Sequence, residues 1–558
     1  MSSAFDARSD SMTTEVPAAP ESFRGIFRID DAALAVYSEG AGIARMIPRA
    51  VAVPADAEDV QTLVRWAYRT LTPLIPRGSG SGMAGGAIGD GVIVDLSRMR
   101  KISPVDSATR TISVGPGVTW LEVETAARAS GLRFPPDPSS GAFCSIGGMV
   151  STNASGAHSL KYGATRSWVQ ALDCIFDDGT RATVRRGAPV PSGVAALDRL
   201  AAIADALRVA EAAAPTVHAG VRKDSSGYGI HAFTASLDPV DILVGGEGTL
   251  VIVVGIELKL AEAPRATSSL LGCFPTLESA VSAAVQARDA GAAACELLDR
   301  TFLDVAARET PLPHIPDTSE AVLLAEVEAD SAEEAHRATA QLAAAFRATG
   351  ATSVELALTP DEEQKMWQLR HAASPILGRL GPTLTSMQFV EDGAVPPAKL
   401  PDYVRGVRDI LNRHQVTGVI FGHAGDSHIH VNPLIDINRA DWRDVVADML
   451  SEVVALTAKL GGTLDAEHGD GRLRTPLLSQ IWSAEIIERF RAVKHAFDPA
   501  GIFNPGVKVP VAGQHSIVNI KYDPALPAHP ATAAAALARI GDERAYSTFR
   551  LDMIDSVA

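Results

Sequence analysis

Apolar residues along this chain recur at two spacings, and each change of spacing marks an element. Residues 48–70, PRAVAVPADAEDVQTLVRWAYRT, read as a strand, a turn and a helix. Asp56 is the expected N-cap, and Ala57, Val60, Leu63 and Val64 supply a 3.6-residue face. LTPLIPRGSGSGMAGGAIGDGVIVDLSRM, residues 71–99, predicts a strand, a glycine-rich loop and a second strand. TISVGPGVTWLEVETAARASG gives strand, turn and helix, and ALDCIFDDGTRATV gives a hairpin turning at Asp178–Gly179. An alanine-rich helix follows over 193–214, and a glycine turn leads into the apolar strand VIVVGIELKL.

The pattern restarts near residue 264. TLESAVSAAVQARDAG predicts a helix ending in glycine, and AVLLAEVEAD alternates as a strand does. SAEEAHRATAQLAAAFRATG is a helix with a serine cap and an acidic residue three positions on. VTGVIFGHAGDSHIHVNPL reads as strand, loop, strand, followed by the helix WRDVVADMLSEVVALTAKLGG. The expected class is α+β: a two-subdomain N-terminal domain, then an α+β domain with an antiparallel sheet and a C-terminal helical cap. The expected boundaries are a flexible lead at 1–22, a first domain at 23–262, a second at 263–485, helices and a returning loop at 486–521, and an arm at 522–558. Within that arm LARIGDERAYSTFRLDMI is expected to be helical and to dock on a partner or on the body.

Composition narrows the classes. The chain has 558 residues, 46% hydrophobic and 21% charged, enough for two or three full cores. A formal charge of −16 argues against nonspecific binding to nucleic acid, which would be repelled. No apolar run is long enough for a direct membrane span. The first residues, MSSAFDARSDSMTTEV, lack the basic-then-apolar order of a secretory signal. Cys144, Cys174, Cys273 and Cys295 are scattered, which predicts neither a disulfide framework nor an internal iron–sulfur cluster. A reducing cytoplasm is the expected location.

Two segments carry candidate chemistry. PRGSGSGMAGGAIG, residues 76–89, has six glycines, whose exposed amides suit an anion. It returns into a strand, so it is neither a Rossmann fingerprint nor a Walker loop. FGHAGDSHIHVNPL, residues 421–434, holds His423, His428 and His430, and DAEHGDG, residues 465–471, holds Glu467 and His468. Two imidazoles and a carboxylate are a common set for a borderline divalent metal with an open position. The same residues read equally well as a hydrogen-bonded polar cluster without a metal.

The glycine loop, RFPPDPSS (133–140), SIGGMVSTNASG (145–156), LKYGATRSWV (160–169) and GGEGTLVIVV (245–254) resemble the FAD-binding domain of the vanillyl-alcohol-oxidase/p-cresol-methylhydroxylase superfamily. FGHAGDSHIHVNP, GGTLDAEHGDGRLR and FDPAGIFNPGVK resemble the C-terminal half of its D-lactate, glycolate and D-2-hydroxyglutarate dehydrogenase branch. The resemblance covers about residues 40–512.

It implies that Arg77, Gly78, Ser79, Gly80, Ser81 and Gly82 surround the FAD pyrophosphate, with Pro136, Asp137 and Ser140 along the cofactor. Ser145, Gly147, Gly148, Asn153 and Gly156 approach the flavin and pyrophosphate, and Glu247, Gly248, Thr249 and Ile252 close the adenylate side. Residues 76–89 contain no histidine or cysteine, so the FAD is expected to be non-covalent. Cys144 and His158 read as packing or a backbone hydrogen bond. The resemblance makes His423, His430 and Glu467 ligands of zinc, manganese or iron, His468 the base, and Asn432 and Arg370 substrate contacts; His428 departs from the family's pattern, which has asparagine there, and is expected to be an extra polar contact at the substrate or a competing ligand. Val390 stands where the hydroxyglutarate enzymes use a lysine, leaving Arg474, His371 or Lys508 as replacements.

The implied reaction oxidises a (D)-2-hydroxy acid to the 2-oxo acid. Deprotonation is metal-assisted and hydride passes to flavin N5. D-lactate or D-2-hydroxyglutarate is the expected substrate. Reoxidation then needs a separate electron acceptor, for which an iron–sulfur subunit is a candidate. That partner would allow peripheral membrane association, and a homo-oligomer fits as well. The alternatives are a glycolate dehydrogenase, an oxygen-using 2-hydroxy acid oxidase, a non-catalytic flavin electron-transfer subunit and a plain metal-binding scaffold.

Overall fold

A computed structural model of the chain describes residues 18–307, 315–377, 384–517 and 519–555, with the backbone only over 371–377. Residues 1–17 of the expected lead and the side chain of His371 therefore lie outside the described part. Among the described residues no helix is long and apolar enough to cross a membrane.

The first unit is built on two four-stranded sheets. In the first, Ile26–Arg28, Ala50–Val53, Val92–Asp95 and Leu74–Arg77 lie side by side in that order. The outer pair is antiparallel and the others are parallel. Parallel pairing of Leu74–Arg77 with Val92–Asp95 forces residues 78–91 to carry the chain back along the sheet, so the glycine-rich loop is long and lies across one end of the strands. The helix Ala57–Thr70 covers this sheet. Asp56 caps it by accepting from the amides of Glu58 and Asp59, and Val60, Leu63, Val64 and Ala67 form its buried face. The second sheet runs Thr111–Val114, Ile252–Lys259, Val169–Ile175, Arg181–Arg185, all antiparallel. Gly179, at φ +81°, makes the turn expected at Asp178–Gly179.

The second unit is an antiparallel sheet. Its strand order is Ser353–Ala357, Ala266–Phe274, Ala321–Ala329, Ala294–Asp299, Thr417–Gly422, His428–Asp436 and Leu384–Ser386, with Gly393–Ala394 beside His428–Asp436. Alternate residues of one strand face two different cores. Leu323, Ala325 and Val327 join the cluster that includes helices Leu277–Asp289, Leu400–Arg413 and Trp442–Lys459. Val322 and Leu324 join the cluster containing Phe302, Leu303 and Met366 on the other face. Both faces are covered, so the strand is apolar at nearly every position.

The expected C-terminal segments return to the first unit. Helix Ala484–Phe497 buries Ile486, Phe490 and Val493 among residues of the second sheet's core. Phe503 lies beside Leu74 at the edge of the first sheet. The arm docks on the body: Ala531–Asp542 and Arg550–Asp555 pack Ala536, Ile540, Leu551 and Met553 against Val36, Tyr37, Val51 and Ile93.

Buried polar bonds join the two units. The Glu247 carboxylate accepts from the amides of Asp470 at 2.7 Å and Gly471 at 3.0 Å. The amide of Ser225 donates to Asp465 O, and that of Gly227 to Asp470 Oδ2. Lys508 is wholly buried, with Nζ 3.1 Å from Glu247, 3.0 Å from Asp470 and 3.6 Å from Asp465. Burial, then the Asp470 carboxylate, pushes Asp465 well above the usual carboxylate range. Lys508 is thus the cation that keeps this cluster together. Replacing it by methionine leaves buried carboxylates uncompensated and should cost about 3–5 kcal/mol. Thermal unfolding of Lys508→Met checks this; a wild-type midpoint would contradict it.

Candidate functional site

A cavity of about 630 Å³ runs from the glycine-rich loop to the histidine segment, within the size range of small-molecule sites. Two glycine-rich loops form one end. Ser145 Oγ accepts from the amide of Gly148 at 3.2 Å and that of Ser79 at 3.4 Å, which holds the loops together. The approach is so close that a Cβ on Gly78 would lie 2.1 Å from that oxygen. Arg77 is buried and donates to the carbonyls of Glu39 at 2.9 Å and Ala87 at 3.1 Å. Burial, then Arg550, lowers it to about 9.

Of the residues expected at FAD, Arg77, Gly78, Ser79, Gly80, Ser81, Gly82, Ser140, Ser145, Gly147, Gly148, Glu247 and Gly248 line this cavity. Six do not, and each has a physical reason. Pro136 and Asp137 stop short of it, and Pro138 and Ser139 take their place. The Asp137 carboxylate instead accepts from the His158 amide at 3.0 Å and from Nδ1–H at 2.5 Å. His158 also reaches Glu326, so it links the units and is not simply packed. Asn153 ends the helix Ile146–Thr152 in a left-handed conformation, and its Oδ1 accepts from the Arg166 amide. Gly156 packs against Asp137 O. Thr249 turns inward to Gly246 O and Tyr228. Ile252 points into the core, whereas its neighbours Val251 and Val253 line the cavity, as strand alternation requires.

At the other end the two chemistry-bearing segments meet. His423 and His430 stand on and beside the paired strands Thr417–Gly422 and His428–Asp436, and Glu467 comes from the loop held by Glu247. Glu467 Oε1 lies 3.0 Å from His423 Nε2, 3.7 Å from His430 Nε2 and 3.9 Å from His428 Nδ1. Candidate donor atoms of these four buried residues all lie within 4.8 Å of one another.

The neighbours determine which atoms are offered. His423 Nδ1–H donates to Glu296 Oε1 at 2.6 Å, and His430 Nδ1–H donates to the Glu391 carbonyl at 2.8 Å. Both rings are left with Nε2 toward Glu467, the arrangement metal-binding histidines use. Lys223 Nζ, at 3.0 Å, and the Ser155 hydroxyl both donate to Glu467 Oε2, leaving Oε1 for the centre. Against the cost of burial, Lys223 and then His423 hold Glu467 well below the usual range. The residues present fit a divalent ion, and the glycine cradle fits an anionic cofactor.

His468 lines the cavity beside this set. Its Nδ1–H donates to Glu391 Oε2 at 2.6 Å, so Nε2 is its free position. Burial pulls His468 down, but Asp392 and Glu391 outweigh it and raise the group to about 10. Asn432 and Arg370 also line the cavity. Arg370 Nε donates to Glu296 Oε2 at 2.6 Å, so one carboxylate orients both Arg370 and His423.

Three residues expected as substrate contacts lie off the cavity wall. His428 is fully buried, with Nε2 2.8 Å from Asp392 Oδ1, and is outside the cavity wall. Burial lowers it to about 3, so it is neutral. Arg474 lies behind Glu391, donating to that carboxylate and to Gly469 O. Lys508 is enclosed in its acidic cluster. Val390 belongs to the second unit's core.

Sequence reasoning missed Glu296, Glu391, Asp392, Lys223 and Ser155. Two signals were present: a glutamate inside the buried apolar strand Ala294–Asp299, and the paired acids of FVEDGAVP between apolar residues. Asp392 Oδ2 accepts from the amides of Ala466, Glu467 and His468 and so shapes their turn.

Comparison with known proteins agrees with this layout. Residues 48–185 match the family described as FAD binding domain, and 263–507 match FAD linked oxidases, C-terminal domain. The glycolate oxidase subunit GlcD of Bacillus subtilis is 29% identical over 82% of this chain and 88% of its own. A D-lactate dehydrogenase of Archaeoglobus fulgidus is 28% identical over 82% and 90%. A D-2-hydroxyglutarate dehydrogenase of Xanthomonas citri is 28% identical over 82% and 89%. The fold is shared with a 4-ethylphenol oxidase from Gulosibacter chungangensis, at TM-score 0.64 and 15% identity over 87% of this chain and 94% of that one.

Two outcomes follow from the geometry. His423→Ala should lose bound divalent metal, measured by elemental analysis of purified protein; unchanged stoichiometry would remove it from the ligand set. Glu391→Gln removes a carboxylate that holds His468 up, so His468 should titrate at lower pH. The pH dependence of its acylation by diethylpyrocarbonate reads this out, and an unchanged profile would contradict it.

Proposed function

Because the chain is a FAD-binding oxidoreductase of the p-cresol-methylhydroxylase/vanillyl-alcohol-oxidase type, related to glycolate oxidases and to D-lactate and D-2-hydroxyglutarate dehydrogenases, we propose that it oxidises a small (D)-2-hydroxy acid to the 2-oxo acid. The observation that carries this reading is the convergence of His423, His430, Glu467 and His468 on the wall of the cavity that the glycine-rich loops enclose.

Each side chain has a task. Arg370 offers its guanidinium to the substrate carboxylate, held in orientation by Glu296. Asn432 contacts the polar end of the substrate. His468 receives the hydroxyl proton at Nε2, because Glu391 occupies Nδ1–H. A divalent metal held by His423, His430 and Glu467 would favour loss of that proton and, as added positive charge, would lower His468 from about 10, so that its Nε2 is unprotonated and free to accept. When bound, FAD supplies the acceptor for the hydride leaving C2. The substrate thus gives up one proton and one hydride and becomes a ketone.

Substrate size follows from the cations. Arg370 is the arginine near His423 and His468 on the cavity wall among the described residues, and Arg474 and Lys508 are turned away. The one clamp among the described residues suits one carboxylate, and D-lactate, a monocarboxylate, is proposed ahead of D-2-hydroxyglutarate. Reoxidation of the flavin then falls to a separate acceptor, for which an iron–sulfur protein is the proposed class. A cytoplasmic setting, with or without such a partner at a membrane, belongs to the same proposal.

Anaerobic mixing of the purified yellow protein with both enantiomers of lactate and 2-hydroxyglutarate, and with glycolate, tests this. Rapid bleaching by D-lactate is expected, slowed about 10²–10⁴-fold in His468→Asn. A flavoprotein that none of these acids bleaches would instead be a non-catalytic electron carrier. Faster bleaching by D-2-hydroxyglutarate would overturn the choice of a monocarboxylate.

A further inference from the structure

The C-terminal arm, taken here from Lys521 onward, lies beyond both family matches, yet it reaches the cofactor cavity. Lys521, Tyr522, Arg544 and Tyr546 line its wall together with the glycine-rich loop. Lys521 Nζ donates to the carbonyls of Gly40 at 3.1 Å and Ala41 at 3.2 Å. Ala41 in turn donates its amide to Gly80 O at 3.0 Å, so this ammonium is seated directly on the segment that backs the loop. Arg544 stands at φ +54° with its guanidinium 5.2 Å from the centre of the Phe143 ring, and Tyr546 meets the same ring at 5.4 Å. Phe143 itself lines the cavity.

Among the described residues, Lys521, Arg544 and the nearby Arg77 form no ion pair with a carboxylate, although the chain has 66 acidic residues against 50 basic ones. Cations that face a cradle of glycine amides and are not themselves held in ion pairs suit a bound anion. The arm's position is also firm, since its two helices bury their apolar faces on the sheet that carries the loop.

We propose that the C-terminal arm is part of the cofactor site, with Lys521 and Arg544 supplying positive charge to the diphosphate of FAD and the arm closing over it. This rests on the reading of the cavity as the FAD site. The arm then retains the cofactor by charge as well as by cover, in a protein whose glycine loop offers no covalent anchor.

The test uses the full-length protein and FAD. Release is followed by the rise in flavin fluorescence on dilution, and affinity by reconstitution of the FAD-free protein. Lys521→Met and Arg544→Met should each release FAD about tenfold faster and bind it about tenfold more weakly, the scale of one lost charge-assisted contact. Lys521→Arg and Arg544→Lys should retain near-wild-type release, which a purely steric role would not predict. Raising salt should accelerate release from wild type more than from the double methionine variant. A wild-type protein that binds FAD, with methionine variants releasing it at the wild-type rate, overturns this proposal alone. A wild-type protein that takes up no FAD overturns the reading of the cavity and this proposal with it.

Discussion

The carboxylate of Glu247 is the contact on which the site depends. It sits in the glycine turn of the first unit and accepts the amides of Asp470 and Gly471 from the second. The surroundings leave no room for another arrangement: a Cβ on Gly469 would lie 2.8 Å from the Glu247 carboxylate, and one on Gly86 would lie equally close. Glu247 is also on the cavity wall. A single buried acid therefore brings the loop carrying Glu467 and His468 against the cradle of glycine amides. Lys508 balances its charge from a third part of the chain.

Around the donor set, each candidate group is fixed by another. Glu296 holds His423 through one oxygen and Arg370 through the other. Glu391 uses its carbonyl for His430 and its carboxylate for His468 and Arg474. Asp392 gathers three successive amides of the Glu467 turn. Buried polar networks are costly when incomplete, so such a set favours one geometry. The same bonds determine which imidazole nitrogen each histidine presents, and with it what each can bind or accept.

Much of this was legible in the sequence because its signals are local. Asp56 as a cap, the Asp178–Gly179 turn and the glycine-rich loop between two strands all depend on neighbours within a few residues. The α+β class and the antiparallel second sheet follow from the same periodicities. Pro136, Asp137, Thr249 and Ile252 show the limit: motif membership does not say which way a side chain turns, and a one-residue step in a strand reverses it. Arg474 and Lys508 show a second limit. A cation near a motif looks available until the carboxylates that claim it, far away in sequence, are placed. Glu296, 127 residues before His423, could not be connected to it by spacing alone.

One cavity walled by both units would hold a flavin against the glycine-rich loops of the first and a metal at His423, His430 and Glu467 of the second. Anomalous diffraction from crystals of the full-length yellow protein, recorded at the absorption edge of the metal found by elemental analysis, tests it most directly. The account predicts one peak about 2.0–2.2 Å from His423 Nε2, His430 Nε2 and a Glu467 oxygen, in the same cavity as the flavin density. A peak elsewhere, or flavin density outside the cleft between residues 78–82 and His468, would contradict it.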